Sequence, residues 1–192
     1  MSTIHELFPK PVYLVDNVLV NELPFYKLWC SEKVKELGAS ENGLLNVPST
    51  HQTFDRFYEF PEMGNVVATI CQHAVSFAEH LGYTAEDMQD VTIKNMWVNH
   101  SARGSYIFPH VHRDSLISGA FYIDCTPNDE ILFFNNPLEV MDKKPTRMTD
   151  LNIDYKKFNC VPGRLLLFKS NLLHGTQSQQ SENKITISFN IG

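Results

Sequence analysis

The chain has 192 residues, 43% apolar and 20% charged, with a net charge of −6. That length supports one substantial buried core and is short for two. The acidic balance, with no run of like charges, argues against a general nucleic-acid-binding face, and no stretch approaches the 18 apolar residues of a membrane span.

The first ten residues lack a basic region followed by an apolar core, so they do not read as a secretory signal. Cys30, Cys71, Cys125 and Cys160 are scattered, with no CxxC pair. They read as small buried or half-buried thiols of a cytoplasmic, reduced protein. Residues 1–90 are expected to be mostly helical. One helix is predicted over Leu23 to Leu37, capped by Asn21, with Pro24 in its first turn and Gly38 at its end. Ala39 to Pro61 reads as a long loop with a short strand near Gln52 to Phe57. Val66, Val67, Ile70, Ala74, Phe77, Ala78 and Leu81 recur at helical spacing and predict a second helix, stopped at Gly82.

From Val91 the period changes to that of strands. Val91 to Asn99, Tyr106 to His112, Ile117 to Cys125, Ile131 to Phe134, Arg164 to Phe168 and Lys184 to Ile191 all read as β. Turns are expected at Gly104, Pro127-Asn128, Asn135-Asn136-Pro137 and Pro162-Gly163. Leu138 to Asn159 is charged and patternless and reads as a long loop, a segment type that is usually functional or disordered. Short, closely spaced strands predict a sandwich or barrel with the helices over one face. In the last strand Lys184, Thr186, Ser188 and Asn190 share one face, and Ile185, Ile187, Phe189 and Ile191 the other. The polar face is assigned to a wet interior and the apolar face to the helices.

The chemistry-bearing residues cluster on these strands. His110 and His112 stand two apart with Asp114 two further on, and His174 follows later in the chain. Residues two apart on a strand point to one face. Imidazole suits iron, zinc, copper and nickel, and two histidines with a carboxylate is a non-haem Fe(II) arrangement. A lone strand histidine is more often structural than a ligand, so the pairing carries the reading. His5, His51, His73, His80 and His100 lack partners at ligand spacing and read as surface or core residues. Lys184 beside Thr186 forms a candidate anion clamp. Asn99, Tyr106 and Tyr122 fall on strands bordering the histidines, and Trp97 reads as core.

Five segments together resemble the 2-oxoglutarate/Fe(II)-dependent oxygenases: Trp97-Val98-Asn99, Gly104 to His112 (GSYIFPHVH), Ser118 to Tyr122 (SGAFY), Pro162 to His174 (PGRLLLFKSNLLH) and Lys184 to Asn190 (KITISFN). The pattern is similar to that of an oxygenase subfamily common in marine bacteria and phages. The opening Leu7-Phe8-Pro9 and Pro11-Val12-Tyr13 resembles it more loosely. The resemblance implies an α+β fold: a double-stranded β-helix (jelly roll) with N-terminal helices packed on one face. It implies a single domain over 1–192, with 1–90 as helical support and 91–192 as the jelly-roll core.

The resemblance further implies Fe(II) and 2-oxoglutarate as cofactors, O2 as co-substrate, and hydroxylation of a substrate that is a small molecule or a protein side chain. No membrane partner is implied, and the charge argues against nucleic acid. His174 matches the distal iron ligand. Lys184 stands where the family usually has an arginine for the far carboxylate of 2-oxoglutarate, and Thr186 where it has a serine. Tyr122 and Asn99 fall at further cosubstrate contacts. Two proximal ligand sets are open: His110 with His112, as in the subfamily, or His112 with Asp114, as in the usual H-x-D motif. The rival readings are a non-catalytic metal- or ligand-binding jelly roll and a cupin-type dioxygenase without cosubstrate.

Overall fold

The structure is a computed structural model describing residues 3, 8–42, 45–135 and 145–192. Its elements in chain order are β1 (Val12–Val15), α1 (Leu23–Leu37), β2 (Ser40–Asn42), β3 (Leu45–Ser49), α2 (Gly64–His80), β4 (Ile93–Ser101), β5 (Tyr106–His110), β6 (Ile117–Asp124), β7 (Glu130–Phe134), β8 (Tyr155–Asn159), β9 (Leu165–Lys169), β10 (His174–Thr176) and β11 (Lys184–Ile191). Two short 3-10 helices at Phe57–Glu59 and Pro61–Met63 precede α2. The eleven strands form one curled sheet in the order β1-β9-β6-β11-β4-β3-β5-β10-β7-β8, with β2 on β3. Every strand pair is antiparallel. The expected α+β jelly roll with helices on one face is the fold observed.

β11 lies between β4 and β6, so both of its edges are paired. Ile185, Ile187, Phe189 and Ile191 join the core formed with Tyr26, Cys30 and Val34 of α1 and Val66, Ile70, Ala74, Phe77 and Ala78 of α2. The residues on α2 recur at three and four, which is why one stripe of that helix meets the sheet. A second cluster, with Ala120, Tyr122, Ile131, Phe133, Leu166 and Phe168, fills the space between the two halves of the sheet. Gly119 is required where β6 meets this packing: a Cβ there would stand 2.3 Å from the Phe189 ring and 2.7 Å from the Leu166 carbonyl oxygen.

Several expectations change. The helix at Leu23–Leu37 starts after Glu22, with no side-chain cap from Asn21, and ends at Gly38 at φ +74°. The second helix begins two residues early, at Gly64, and Gly82 follows its end at φ +94°. Residues 1–90 are not mostly helical support alone, because they also supply β1, β2 and β3. β1 was hidden among Pro and Val and is fixed only by pairing with β9. The bidentate Arg164–Asp16 pair (2.6 and 2.9 Å) holds the same edge, with the Asp16 carboxyl kept low by that guanidinium. No strand forms over Gln52 to Phe57, which turns and meets β4 through a single bridge, Arg56 to Met96. The loop expected over Leu138 to Asn159 ends in β8, where Tyr155–Asn159 pairs with β7. Residues 138–144, the turn residues Asn136 and Pro137, and Leu7 lie outside the described residues. Among the described residues no helix is long and apolar enough to cross a membrane.

One buried acid joins two turns beside β11. Asp129 accepts hydrogen bonds at Oδ1 from the Gln180 and Ser181 amides (2.7 and 3.1 Å) and at Oδ2 from the Thr126 amide (3.3 Å) and the Ser181 hydroxyl. Burial alone would raise this carboxyl, but the Ser181, Gln180 and Thr126 donors outweigh it and hold it below the usual range. A depressed folded-state pKa contributes stability above the unfolded value, near 4, and loses it as pH falls through the folded value. Asp129→Asn should therefore lower the melting temperature at pH 7, and the gap to the unaltered protein should close below about pH 4. Thermal melts of both proteins across that range check this.

Candidate active site

His110 ends β5 and His174 opens β10, and the two are direct partners across this antiparallel pair. Opposed residues on one sheet face bring their side chains together. His112 follows in the turn after β5, where its amide donates to the Ser170 carbonyl at 2.9 Å. The ligand atoms of His110, His112 and His174 lie within 4.8 Å of one another. His110 Nδ1 and His174 Nδ1 each lie 2.8 Å from a backbone carbonyl, of Phe108 and Leu172. A carbonyl only accepts, so Nδ1 carries the hydrogen and Nε2 is left with a free lone pair. Burial, with a further contribution from neighbouring imidazoles, pushes His112 down to about 4 and His174 to about 3. Burial also lowers His110. All three are neutral at pH 7, the state that binds metal.

Asp114 is not brought to this group. It is exposed at φ +60°, a left-handed turn position that short acids tolerate, and its carbonyl accepts from Lys94. The chain turns there to enter β6, so the third residue of His112-Arg113-Asp114 faces away from the cavity lining.

A cavity of about 500 Å³ runs from the histidines along the polar face of β11, reaching Lys184, Thr186 and Ser188. The interior assignment of that face is thus the observed one. Register places Thr186 opposite both Asn99 and Tyr122, and Lys184 opposite Ser101. Lys184 is buried, yet its ammonium forms no ion pair with any described carboxylate. Its neighbours are the Gln179 amide oxygen, Cys160 Sγ at 3.2 Å and the Tyr122 ring at 5.3 Å. Tyr122 is buried and shares a hydrogen bond with Cys160; burial raises both groups. Thr186 Oγ1 and Asn99 Oδ1 are buried without a partner among the described residues. A buried cation without an anion and orphaned polar atoms nearby are costly unless a ligand completes them. The donor set thus fits a divalent metal at one end of the cavity and a carboxylate at the other.

The structure also adds residues that spacing did not single out. Gln179, two residues after Gln177 in the turn before β11, is almost fully buried and supports Lys184. His51, read as surface or core, lines the cavity and packs on Trp97 with ring centroids 4.4 Å apart. Trp97 in turn lies 6.0 Å from His112, so it is wall as well as core. Gln52 and Asp55, from the loop predicted over Ala39 to Pro61, also line the cavity. Only the unexpected length of that loop, with no metal spacing in it, was available as a signal. None of the described residues between 138 and 159 lines the cavity.

The family model described as "Putative 2OG-Fe(II) oxygenase" matches residues 95–190. No curated protein matches the chain. Among solved structures, a Pseudomonas putida prolyl-4-hydroxylase is similar at a TM-score of 0.65 and 13% identity, covering 94% of this chain and 92% of that one. HygX from Streptomyces hygroscopicus, solved with nickel and 2-oxoglutarate, is similar at 0.60 and 12%, covering 95% and 83%. The viral collagen prolyl hydroxylase of Paramecium Bursaria Chlorella virus-1, in its 2-oxoglutarate complex, is similar at 0.56 and 15%, covering 94% of each chain. At such identities these structures speak to fold, and the family match speaks to chemistry. The chain belongs to the 2-oxoglutarate/Fe(II)-dependent oxygenases, enzymes that use Fe(II), 2-oxoglutarate and O2.

Proposed function

We propose that residues 1–192 act as one oxygenase unit that hydroxylates its substrate, with His110, His112 and His174 holding Fe(II) and Lys184, Thr186, Asn99 and Tyr122 holding 2-oxoglutarate. The observation that carries this reading is the buried Lys184 ammonium, without an acidic partner among the described residues, at the far end of a cavity that begins at three neutral imidazoles. Bound together, the metal and cosubstrate couple O2 to the decarboxylation of the keto acid, giving succinate and CO2 and placing one oxygen on a C–H bond.

The chain's own residues do the rest. The Phe108 and Leu172 carbonyls fix two imidazole rings with Nε2 toward the metal. Gln179 and Cys160 hold the ammonium while leaving it a donor for the far carboxylate. The Thr186 hydroxyl lies two residues along the same strand face and adds a second contact. Phe168 and Ile131 keep that wall dry, which strengthens each polar contact inside it. The four free cysteines suit a reducing, cytoplasmic setting. The substrate is a small molecule or a protein side chain that enters past His51 and Trp97.

Anaerobic titration with Fe(II) and then 2-oxoglutarate tests the assembly through the weak visible charge-transfer band of the chelate. Without that band, a binding jelly roll or a cosubstrate-free dioxygenase replaces this reading. His174→Ala should abolish Fe(II) binding in a folded protein, and unchanged affinity would remove it from the ligand set. His110→Ala should lose the metal and Asp114→Ala should keep it; iron stoichiometry in the two variants reverses if the H-x-D pair is the one that ligates.

Lys184→Ala should weaken 2-oxoglutarate, with metal affinity nearly unchanged. A charge-assisted bond is worth about 1.5–3 kcal/mol, which corresponds to about 10- to 100-fold in the dissociation constant. Lys184→Arg should recover part of it, since the larger planar fork must fit beside Gln179 and Cys160. Equal 2-oxoglutarate affinity in the alanine variant, at matched iron loading, would place the anion site elsewhere.

A further inference from the structure

Two side chains of fixed charge line the cavity, Lys184 and Asp55, and they stand at opposite ends. Trp97 pairs with Ser188, and Ser101 pairs with Lys184, four residues further along β4. At 3.3–3.4 Å per residue that separates the ends by about 13 Å. Asp55 belongs to the Trp97 end, because its carbonyl accepts from the Met96 amide at 2.7 Å. The histidine group opens on the same side, through the contact of Trp97 with His112.

Among the described residues the Asp55 carboxylate has an electrostatic neighbour, the His51 imidazole, whose pKa burial lowers and Asp55 raises by less. Asp55 is half-buried, forms no ion pair and accepts no hydrogen bond from them. It does not cap the 3-10 helix that starts at Phe57, which has no side-chain cap bond. The adjacent Arg56 turns away, pairing with Glu59 at 3.4 Å and lying over the Phe54 ring. An acid that a neighbouring guanidinium leaves alone, in the wall of a reaction cavity, is completed by whatever enters that cavity.

We propose that Asp55 is a specificity-determining residue and that the primary substrate carries a cationic nitrogen, a protonated amine or a guanidinium, which pairs with this carboxylate. The inference rests on 2-oxoglutarate occupying the Lys184 end. The dianion would then satisfy the only fixed positive charge of the described lining, and the remaining fixed charge there is negative, at the Trp97 end. The same carboxylate repels a dicarboxylate from the mouth, so the two bound molecules are sorted by charge into their own halves. Gln52 and the His51 ring flank Asp55 with neutral hydrogen-bonding groups, which suit a nitrogen that carries several N–H donors.

The test uses the full chain loaded anaerobically with Fe(II) and 2-oxoglutarate. Butylguanidinium and butylammonium are titrated against their neutral counterparts, butylurea and butanol, with perturbation of the visible chelate band as the readout. The cations should bind at least about tenfold more tightly than the neutral partners, the factor that 1.4 kcal/mol supplies. Asp55→Asn should remove that preference, and Asp55→Glu should retain part of it. Equal binding of cation and neutral partner, a preference that survives in Asp55→Asn, or no response to either cation at millimolar concentration overturns the proposal. The two readings fail separately: a chelate band without a charge preference sinks the Asp55 assignment alone. Absence of the chelate band itself overturns both.

Discussion

The site depends on β11 having two different buried faces. One is apolar and locked under α1 and α2 by Ile185, Ile187, Phe189 and Ile191. The other is polar and turned into the cavity through Lys184, Thr186 and Ser188. Period-two alternation allows this only if register is exact to one residue, since a slip would exchange the faces. Register is set on both sides, by eight partners on β4 and seven on β6. The clash that any side chain at Gly119 would create with Phe189 tightens it further. Moving the ladder by one residue would bury an ammonium among the helices and empty the site of its polar groups.

The energetic strain of this arrangement is concentrated where chemistry is expected. Among the described residues, buried side-chain polar groups elsewhere are paired, as in the Ser118–Asn190–Asn95 chain of hydrogen bonds and the four donors to Asp129. The exceptions, Thr186 Oγ1 and Asn99 Oδ1, both face the cavity, and the buried ammonium without an acid lies two residues away. Natural chains break local rules mainly at functional sites, and both orphaned atoms belong to residues that line the cavity. Asp129 contributes at a distance: it fixes the turn of Gln180 and Ser181, which in turn sets Gln179 against Lys184.

A metal site made only of imidazoles, as proposed, would also change the electrostatics of the cavity. A carboxylate ligand would bring a negative charge to the metal; three neutral rings bring none. In the proposed site the anionic groups around the metal would come from the cosubstrate, with Asp55 as the one acidic side chain of the described cavity lining. Asp114, with its carboxylate in solvent, does not alter this balance.

Much of this was written in the chain itself. The three-and-four spacing of Val66 to Leu81 is a local property, as is the alternation of Lys184 to Ile191, and each appeared within two residues of its expected bounds. The chemistry of the site was legible because its types are rare at that spacing: a His-x-His pair, a late histidine, and a lysine with a hydroxyl two residues on. The failures were of another kind. β1, β3, β8 and β10 are short and lack periodicity, so they exist only because a partner strand satisfies their backbone groups. Gln179, Asp55 and His51 carry no motif; only the curling of the sheet brings their loops to the cavity. The choice between His110 and Asp114 was likewise invisible in one dimension, because both lie two residues from His112. The β5–β10 pairing sets His110 beside His174, and the left-handed turn carries Asp114 away. Local side-chain pattern thus determined the elements and the kind of chemistry. Which donors share one cavity depended on long-range strand pairing, which no local pattern encodes.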